Sequence, residues 1–234
     1  MAIATTRLGT QLSRYGTWLA CCLSRGPKAP LTKSDVEDLA AEMGEDSYAG
    51  GTLVFRRGDP AARVHVVRSG TIELSRTMNG RRVMLQLLHP GDVFGDVPAL
   101  LGDVEPFDAR AVNDATVLSI ESSALMELLQ SRPHIAHRWF VSLAERMAGL
   151  QSRLVDLLAG GLESQVASIL LREATGDDVR LTHGQLGEML GTPRASVQRV
   201  LKSLEAAGLI KLHYRRIELT DQTGLLSLVV EEEE

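Results

Sequence analysis

Apolar residues recur along the chain with periods that change from region to region. Near the amino terminus they recur at spacings of three and four, which predicts a helical extension over residues 1–30. The apolar positions of this extension are Leu8, Leu12, Tyr15, Leu19 and Leu23. A second, short helix is predicted from Ser34, which forms a capping-box pattern with Glu37, to about Gly44.

Between Thr52 and Ile120 the pattern changes to short apolar runs that are separated by Gly, Pro and Asp turns. The predicted strands are Leu53–Arg56, Val64–Val67, Ile72–Ser75, Val83–Leu88, Ala109–Val112 and Thr116–Ile120. Asn79-Gly80 is a strong hairpin signal between two of them, because both residues tolerate positive φ. Many short strands at regular spacing predict a β-roll or jelly roll, which we assign to a sensor domain over residues 31–132.

Helical periodicity returns over residues 133–160 and predicts one long helix. Its apolar seam consists of Trp139, Leu143, Met147, Leu150, Leu154 and Leu157. A helix packed on its own domain would explain part of this seam, but a seam about four heptads long favours a partner helix. We therefore predict a homodimer, with Gly160-Gly161 as a hinge to a last domain over residues 161–230.

The strongest local pattern consists of two short helices joined by a turn. Thr182 has Gln185 three residues later, which is the pattern of a capping box, and the helix that follows ends at Gly191. Thr192 is the predicted cap of the second helix and Pro193 its first residue. Two helices joined by a glycine-containing turn of this length are typical of the helix-turn-helix.

The polar face of the second helix and the hairpin after it carry the side chains suited to DNA. Arginine donates two hydrogen bonds to guanine, and Ser, Gln and Lys contact bases or phosphates. The hairpin, Leu209–Leu212 and Arg216–Leu219, is the predicted wing. The predicted DNA-binding residues are Thr182, Arg194, Ser196, Gln198, Arg199, Lys202, His213 and Arg215.

Charge and composition narrow the classes of function. The chain has a formal net charge of −5, yet residues 192–217 hold six cations and one anion, a local charge of +5 that suits phosphate attraction. The only cysteines, Cys21 and Cys22, are adjacent, which excludes a disulfide framework and favours a cytoplasmic location. No apolar run approaches a membrane span. No catalytic residues, enzyme activity or metal site are predicted.

The order and spacing of five motifs resemble the CRP/FNR family of transcription regulators. The motifs are Phe55–Asp59, Val67–Ile72, Pro90–Asp96, Leu181–Gly191 and Arg194–Lys202. The resemblance implies an α+β fold: an N-terminal double-stranded β-roll of the cyclic-nucleotide-binding type, a long dimerisation helix and a C-terminal winged helix-turn-helix. It also implies a dimer that binds double-stranded DNA and blocks or recruits RNA polymerase.

The resemblance leaves cyclic AMP open as an effector, because this chain departs from the pattern of family members that bind it. Gly95-Asp96 keeps the opening of the phosphate-binding loop with a shorter acid, but Glu105-Pro106 stands where those members have Arg-Ser. Leu150-Gln151 stands where they have Thr-Ser facing the adenine. The tentative ligand-binding residues are Gly95, Asp96, Arg110 and Gln151.

An alternative function belongs to another class of protein. According to this hypothesis, the chain is a sensor of an effector or of redox state, or a scaffold, and its winged helix mainly contacts protein. In the redox sensor, Cys21 and Cys22 would be the reactive thiols.

Overall fold

The structure is a computed structural model that describes residues 32–78 and 80–230. The predictions for the extension over residues 1–30, for Cys21 and Cys22, and for Asn79 lie outside the described residues. The chain divides into two compact units, one of residues up to Arg76 with Leu85–Arg146, and one of Thr77–Met84 with the residues from Met147 onwards. Within the described ranges, no helix has the length and apolar character required to span a bilayer.

Helix α1 (Lys33–Glu42) is the first helix of the described residues, and its N-cap lies two residues before the predicted one. Thr32, not Ser34, is the N-cap, and it forms the capping box with Asp35 instead of the predicted partner Glu37. The Thr32 Oγ1 accepts from the Asp35 backbone N–H at 3.2 Å, and the Asp35 carboxylate accepts from the Thr32 N–H at 2.8 Å. This reciprocal pair satisfies two of the amide groups that a helix start leaves open.

Eight strands, which belong to the first unit except for the part of β4 and β5 within Thr77–Met84, form two four-stranded antiparallel sheets with the orders β1-β8-β3-β6 and β2-β7-β4-β5. All six predicted strands are present. The sequence pattern missed β1, because an edge strand of sequence GEDSY has no apolar alternation, and β6, which has two residues. The strands are β1 (Gly44–Tyr48), β2 (Leu53–Phe55), β3 (Arg63–Ser69), β4 (Ile72–Met78), β5 (Arg81–Leu88), β6 (Val93–Phe94), β7 (Asp108–Ala111) and β8 (Ala115–Glu121).

Two clusters of buried apolar residues stabilise this unit. The roll-interior cluster lies between the two sheets and consists of Val67, Ile72, Leu88, Phe94, Ala109, Ala111, Ala115 and Val117. The helix-covered cluster lies where helices pack on the sheet that contains β3 and β8. It consists of Leu39, Ala40, Val64, Val66, Val93, Leu118, Ile120, Leu125, Ile135 and Trp139.

Three helices complete the first unit: α2 (Asp96–Leu101), α3 (Ser122–Ser131) and α4 (Pro133–Ala159). The predicted bounds of the long helix agree with α4, which continues into the second unit. Trp139, which the sequence predicted to lie in a dimer interface, is 4% exposed within the helix-covered cluster of its own chain. Leu143 is half-buried and packs against the same cluster.

The second unit combines four more helices with a three-stranded antiparallel sheet of order β10-β11-β9. Its elements after α4 are α5 (Leu162–Glu173), β9 (Asp178–Val179), α6 (His183–Leu190), α7 (Arg194–Ala206), β10 (Ile210–His213), β11 (Arg216–Leu219) and α8 (Gln222–Val230). Its buried apolar side chains include Val166, Leu170, Leu186, Val197, Leu201, Leu204, Ile217 and Leu225. The sequence pattern predicted α6, α7 and the hairpin, but not α5, β9 or α8.

Candidate nucleic-acid interface and effector pocket

The start of α6 agrees with its predicted capping box. The Thr182 Oγ1 accepts from the Gln185 backbone N–H at 3.2 Å, and the Gln185 Oε1 accepts from the Thr182 N–H at 2.9 Å. Both side-chain oxygens of this pair are therefore occupied within the chain. Gly191 ends the helix in the left-handed conformation with φ +61°.

The turn into α7 differs from its prediction by one residue. Pro193, not Thr192, is the N-cap, and α7 begins at Arg194. The Pro193 carbonyl accepts from the Ser196 N–H at 2.9 Å. Thr192 instead donates its hydroxyl to the Leu190 carbonyl at 3.3 Å. Because the residue before a proline favours extended backbone, Thr192 belongs to the turn.

A close backbone contact holds the two helices of this motif together. The Thr192 N–H donates to the Gly187 carbonyl at 2.9 Å. A Cβ atom at Gly187 would lie 2.7 Å from the Thr192 carbonyl oxygen, so only glycine fits here without a backbone shift. Sequence reasoning did not single out Gly187, although a glycine inside a helical pattern is a known signal of close packing.

Helix α7 separates an apolar face from a polar one. Val197, Leu201 and Leu204 are fully buried. On the other face the predicted DNA-binding residues Arg194, Gln198, Arg199 and Lys202 are exposed. Ser196 is half-buried, and its hydroxyl accepts from the Arg199 guanidinium at 3.3 Å. The buried face fixes the rotation of the helix, so the polar side chains all face solvent on the opposite side.

The wing is shorter at its tip than predicted. His213 pairs with Arg216 in the β10–β11 register, which leaves Tyr214 and Arg215 as the two turn residues. Tyr214 is 90% exposed, and the Arg215 guanidinium lies over its ring at 5.8 Å from the centroid. Arg215 has φ +56°, an uncommon conformation for a residue with a side chain. Sequence reasoning did not include Tyr214 among the contact residues.

Two of the basic side chains of the wing have acidic partners. His213 Nε2 lies 2.8 Å from the Glu218 carboxylate, and this hydrogen bond holds the pKa of Glu218 below its usual value. Arg216 lies 3.3 Å from Asp178 and 3.2 Å from Glu218. The count of +5 over residues 192–217 thus overstates the free positive charge, because Asp178 and Glu218 lie outside that range. The basic surface is concentrated on α7 and the wing tip.

The sensor domain contains a buried ion pair at the predicted ligand residue Asp96. Gly95 has φ +77° and precedes α2, and the Asp96 carboxylate is 1% exposed. Arg146 of α4 donates to both carboxylate oxygens, with 3.1 Å from Nη1 to Oδ1, and Nη1 also lies 3.1 Å from the Val93 carbonyl. Sequence reasoning missed Arg146, because an arginine beside an apolar helix seam looks like an ordinary surface residue.

A second acid, Glu105, lies beside this ion pair. Its side chain is 4% exposed, and its Oε1 is 3.2 Å from the position that a Cβ atom at Gly95 would take. Burial, together with repulsion from Asp96 and Asp59, raises the pKa of Glu105 to about 7. A buried acid at the position where family members bind a phosphate opposes an anionic ligand, whether by charge or by occupying the space.

The other tentative ligand residues lie elsewhere. Arg110 lies on β7 between the buried residues Ala109 and Ala111, so its side chain points to the opposite face of the sheet, where it donates to the Gly51 carbonyl. Gln151 is an exposed residue of α4 in the second unit. The structure therefore brings together Gly95, Asp96 and Glu105, but not Arg110.

Comparisons with known proteins agree with both parts of this architecture. A family model described as a cyclic nucleotide-binding domain matches residues 45–132, and one described as a Crp-like helix-turn-helix domain matches residues 164–228. The HTH-type transcriptional regulator Cmr of Mycobacterium tuberculosis is 41% identical over 212 residues, which are 91% of this chain and 87% of that protein.

Two proteins of Thermus thermophilus are also similar. The cyclic AMP receptor protein is 30% identical, and the match covers 74% of this chain and 82% of that protein. The solved structure of a CRP-family transcriptional regulator has a TM-score of 0.69 and 27% identity, and covers 81% of this chain and 98% of that one.

A β-roll domain joined to a helix-turn-helix with an exposed basic face defines a transcription regulator that binds DNA. The similarity to Cmr over most of both chains specifies the group within that class. The chain belongs to the CRP/FNR family of transcription regulators.

The contact at Gly187 yields a test of the helix-turn-helix. We expect Gly187→Ala to lower the free energy of unfolding by about 1–3 kcal/mol, because the new Cβ forces apart the two helices. The matched control is Gly184→Ala in the same helix, where a Cβ would meet no atom closer than 3.8 Å. That change should alter stability by less than about 1 kcal/mol. Urea denaturation measures both, and equal effects would contradict the packing.

Proposed function

We propose that the chain is a homodimeric, sequence-specific regulator that binds duplex DNA through α7 and the β10–β11 wing. It works by binding and not by catalysis, and blocks or recruits RNA polymerase at its sites. Its location is the cytoplasm, where bacterial chromosomal DNA lies. The observation that supports this most directly is the exposed set Arg194, Gln198, Arg199 and Lys202 on one face of a helix whose other face is buried.

The dimensions and chemistry of α7 suit the major groove. Its 13 residues form a rod about 20 Å long, and the groove of B-DNA is about 12 Å wide. Arg194 and Arg199 can each donate two hydrogen bonds to a guanine edge, while Gln198 suits an adenine edge. Lys202 and the wing-tip residue Arg215 are placed to contact phosphates, which supply affinity without sequence preference.

We expect Arg194→Ala and Arg199→Ala each to weaken specific DNA binding about tenfold or more, because a bidentate arginine–guanine pair contributes about 1–3 kcal/mol. Gel retardation with a selected operator at constant salt measures the effect. The matched control is Arg172→Ala, an exposed arginine of α5 that pairs with its neighbour Glu173 and should leave affinity unchanged.

The alternative, a scaffold whose winged helix contacts protein, predicts a different result in the same experiment. In that case wild type and both arginine variants would show equal, weak retardation. Their binding would also lack the strong salt dependence that phosphate contacts cause.

The exposed apolar residues of α4 from Phe140 to Leu154 form the surface that we assign to the partner copy. Phe140 is 70% exposed, and Met147 and Leu154 follow it at intervals of seven residues, all exposed. Leu150 is exposed between them, so these residues occupy the a and d positions of a heptad seam. Compared with the predicted seam, Phe140 replaces the buried Trp139. A two-fold dimer presents two recognition helices, which in such regulators match half-sites about 34 Å apart.

We expect the double variant Met147→Glu, Leu154→Glu to raise the dimer dissociation constant about a hundredfold or more, because burying unpaired charges in a seam costs several kcal/mol. Sedimentation analysis measures the association, and circular dichroism checks that the fold is kept. Ser152→Glu adds a charge to an exposed residue off the seam and serves as the control. A double variant that remains as dimeric as this control would rule out the seam.

The residues around Gly95, Asp96 and Glu105 do not provide the contacts of a cyclic-nucleotide site, so we infer that DNA binding does not depend on cyclic AMP. Three observations support this inference. Glu105 is buried beside Gly95 and Asp96, Asp96 already has Arg146 as its partner, and Arg110 donates to the Gly51 carbonyl on the other face of its strand.

Calorimetric titration with cyclic AMP should therefore show no saturable binding up to about 1 mM. A dissociation constant above this concentration corresponds to a binding free energy weaker than about −4 kcal/mol. The cyclic AMP receptor protein of Thermus thermophilus is a suitable positive control under the same conditions. Binding in the low micromolar range, with an accompanying rise in DNA affinity, would refute the inference.

A further inference from the structure

Both backbone polar groups of Glu105 form hydrogen bonds to the turn after β2. Its N–H donates to the Asp59 carbonyl at 2.9 Å, and its own carbonyl accepts from the Gly58 N–H at 2.8 Å. These bonds tie the loop after α2 to the turn after β2. They fix the backbone at Glu105, and the residue is 4% exposed.

The charged and titratable groups around Glu105 come from four elements. Asp59 in the turn after β2 and Asp96 on α2 repel a negative charge on Glu105. His65 on β3 also lies beside Gly95. A Cβ atom built on Gly95 would lie 3.4 Å from the His65 ring and 3.2 Å from the Glu105 Oε1. Arg146 on α4 is the cation bonded to Asp96, and it also donates to the Val93 carbonyl.

His65 does not neutralise this acid near neutral pH. Its ring stacks on Phe94 at 4.9 Å and lies 5.7 Å from Phe55, inside the roll. Burial, with a smaller contribution from Arg63, lowers the pKa of His65 to about 4, so the ring is uncharged above that pH. Two buried carboxyls thus lie close together, and Arg146 is bonded to Asp96, so ionising Glu105 as well is costly.

We propose that Glu105 is a proton-binding site of the sensor domain, and that its ionisation loosens the ion pair between Asp96 of α2 and Arg146 of α4. While Glu105 is neutral, Asp96 keeps both of its bonds to Arg146. When Glu105 loses its proton, its negative charge repels the Asp96 carboxylate that Arg146 holds. Arg146 is the last residue of α4 in the first unit, directly before the exposed seam residue Met147. The ligand of this sensor is then a proton.

The sign of the effect on stability follows from linkage. The folded protein keeps the Glu105 proton up to a pH of about 7, whereas the usual pKa of an exposed glutamate is 4.5. Between these values the folded state binds more protons than the unfolded state, so this group lowers stability as pH rises. His65 acts in the opposite direction between its pKa of about 4 and the usual histidine pKa of 6.5. The pH dependence of wild-type stability is the sum of the contributions of Glu105 and His65. The difference in stability between wild type and a Glu105 variant therefore isolates the contribution of Glu105.

The first experiment compares urea unfolding of wild type and Glu105→Gln between about pH 5 and 8. Gln keeps the shape and removes the titration. We expect the ratio of the two unfolding constants to change by up to about tenfold per pH unit below pH 7 and to level off above it. Glu127→Gln, an exposed position on α3, should run parallel to wild type. A Glu105→Gln curve that is also parallel to wild type overturns the proposal.

The second experiment follows the ion pair itself and needs only the wild-type chain if Glu105→Gln does not fold. Nuclear magnetic resonance of glutamate labelled at the side-chain carbon gives the titration of Glu105, and the Arg146 Nε–H resonance should shift with the same midpoint near neutral pH. A Glu105 that titrates like an exposed glutamate, or an Arg146 signal that does not follow it, overturns the proposal.

The consequence for DNA binding rests on the function proposed above. In wild type we expect operator affinity to change at least about threefold with the same pH midpoint, and in Glu105→Gln to stay flat. A flat wild-type profile, with operator binding otherwise intact, overturns the coupling to α4. Loss of operator binding at every pH, with the Glu105 and Arg146 titrations as expected, counts against the proposed function and leaves the proton site supported.

Discussion

Helix α4 is anchored to the sensor domain by a buried apolar face and by one charged contact. Ile135 and Trp139 bury one face of its first half in the helix-covered cluster, and Arg146 bonds to Asp96 and to the Val93 carbonyl directly before the exposed residue Met147. Because an α-helix turns about 100° per residue, these contacts fix the rotation of the helix. They decide which side chains of α4 are exposed. Phe140 and Met147 are exposed because their neighbours Trp139 and Arg146 contact the sensor domain.

The same anchoring explains what periodicity alone could and could not predict. The spacing of apolar residues correctly predicted the bounds of α4, since any buried helix face requires that pattern. It could not say which neighbour covers each residue. Trp139 and Phe140 are adjacent and both apolar, so a seam fits either one. The choice depends on strands β3 and β8, which lie far away in sequence. The start of α1 was ambiguous for a related reason, because Thr32 and Ser34 both have an acid three residues later.

The helix-turn-helix was the most predictable part because its determinants are local. The Thr182–Gln185 capping box, the terminal Gly191 and the buried face of α7 all depend on residues within one or two turns. The charge of the wing was less predictable. Asp178 reaches Arg216 only because β9 pairs with β11 across 38 positions of sequence, and a two-residue strand gives no pattern. Local charge counts therefore overestimate a basic surface wherever strand pairing brings acids beside it.

At Glu105, residue type and burial have to be considered together. The motifs place this acid where cyclic-AMP-binding family members have an arginine, and an exposed acid there would only repel a phosphate. Burial changes its chemistry, since desolvation and the neighbours Asp96 and Asp59 shift its titration into the neutral range. A group that changes charge there can itself carry a signal. Its neighbour Asp96 is bonded to Arg146, which joins α2 to α4, so in our proposal a change of charge at Glu105 acts on the anchoring of the long helix. The two proposals together describe a sensor domain that does not depend on cyclic AMP and still connects an effector to α4.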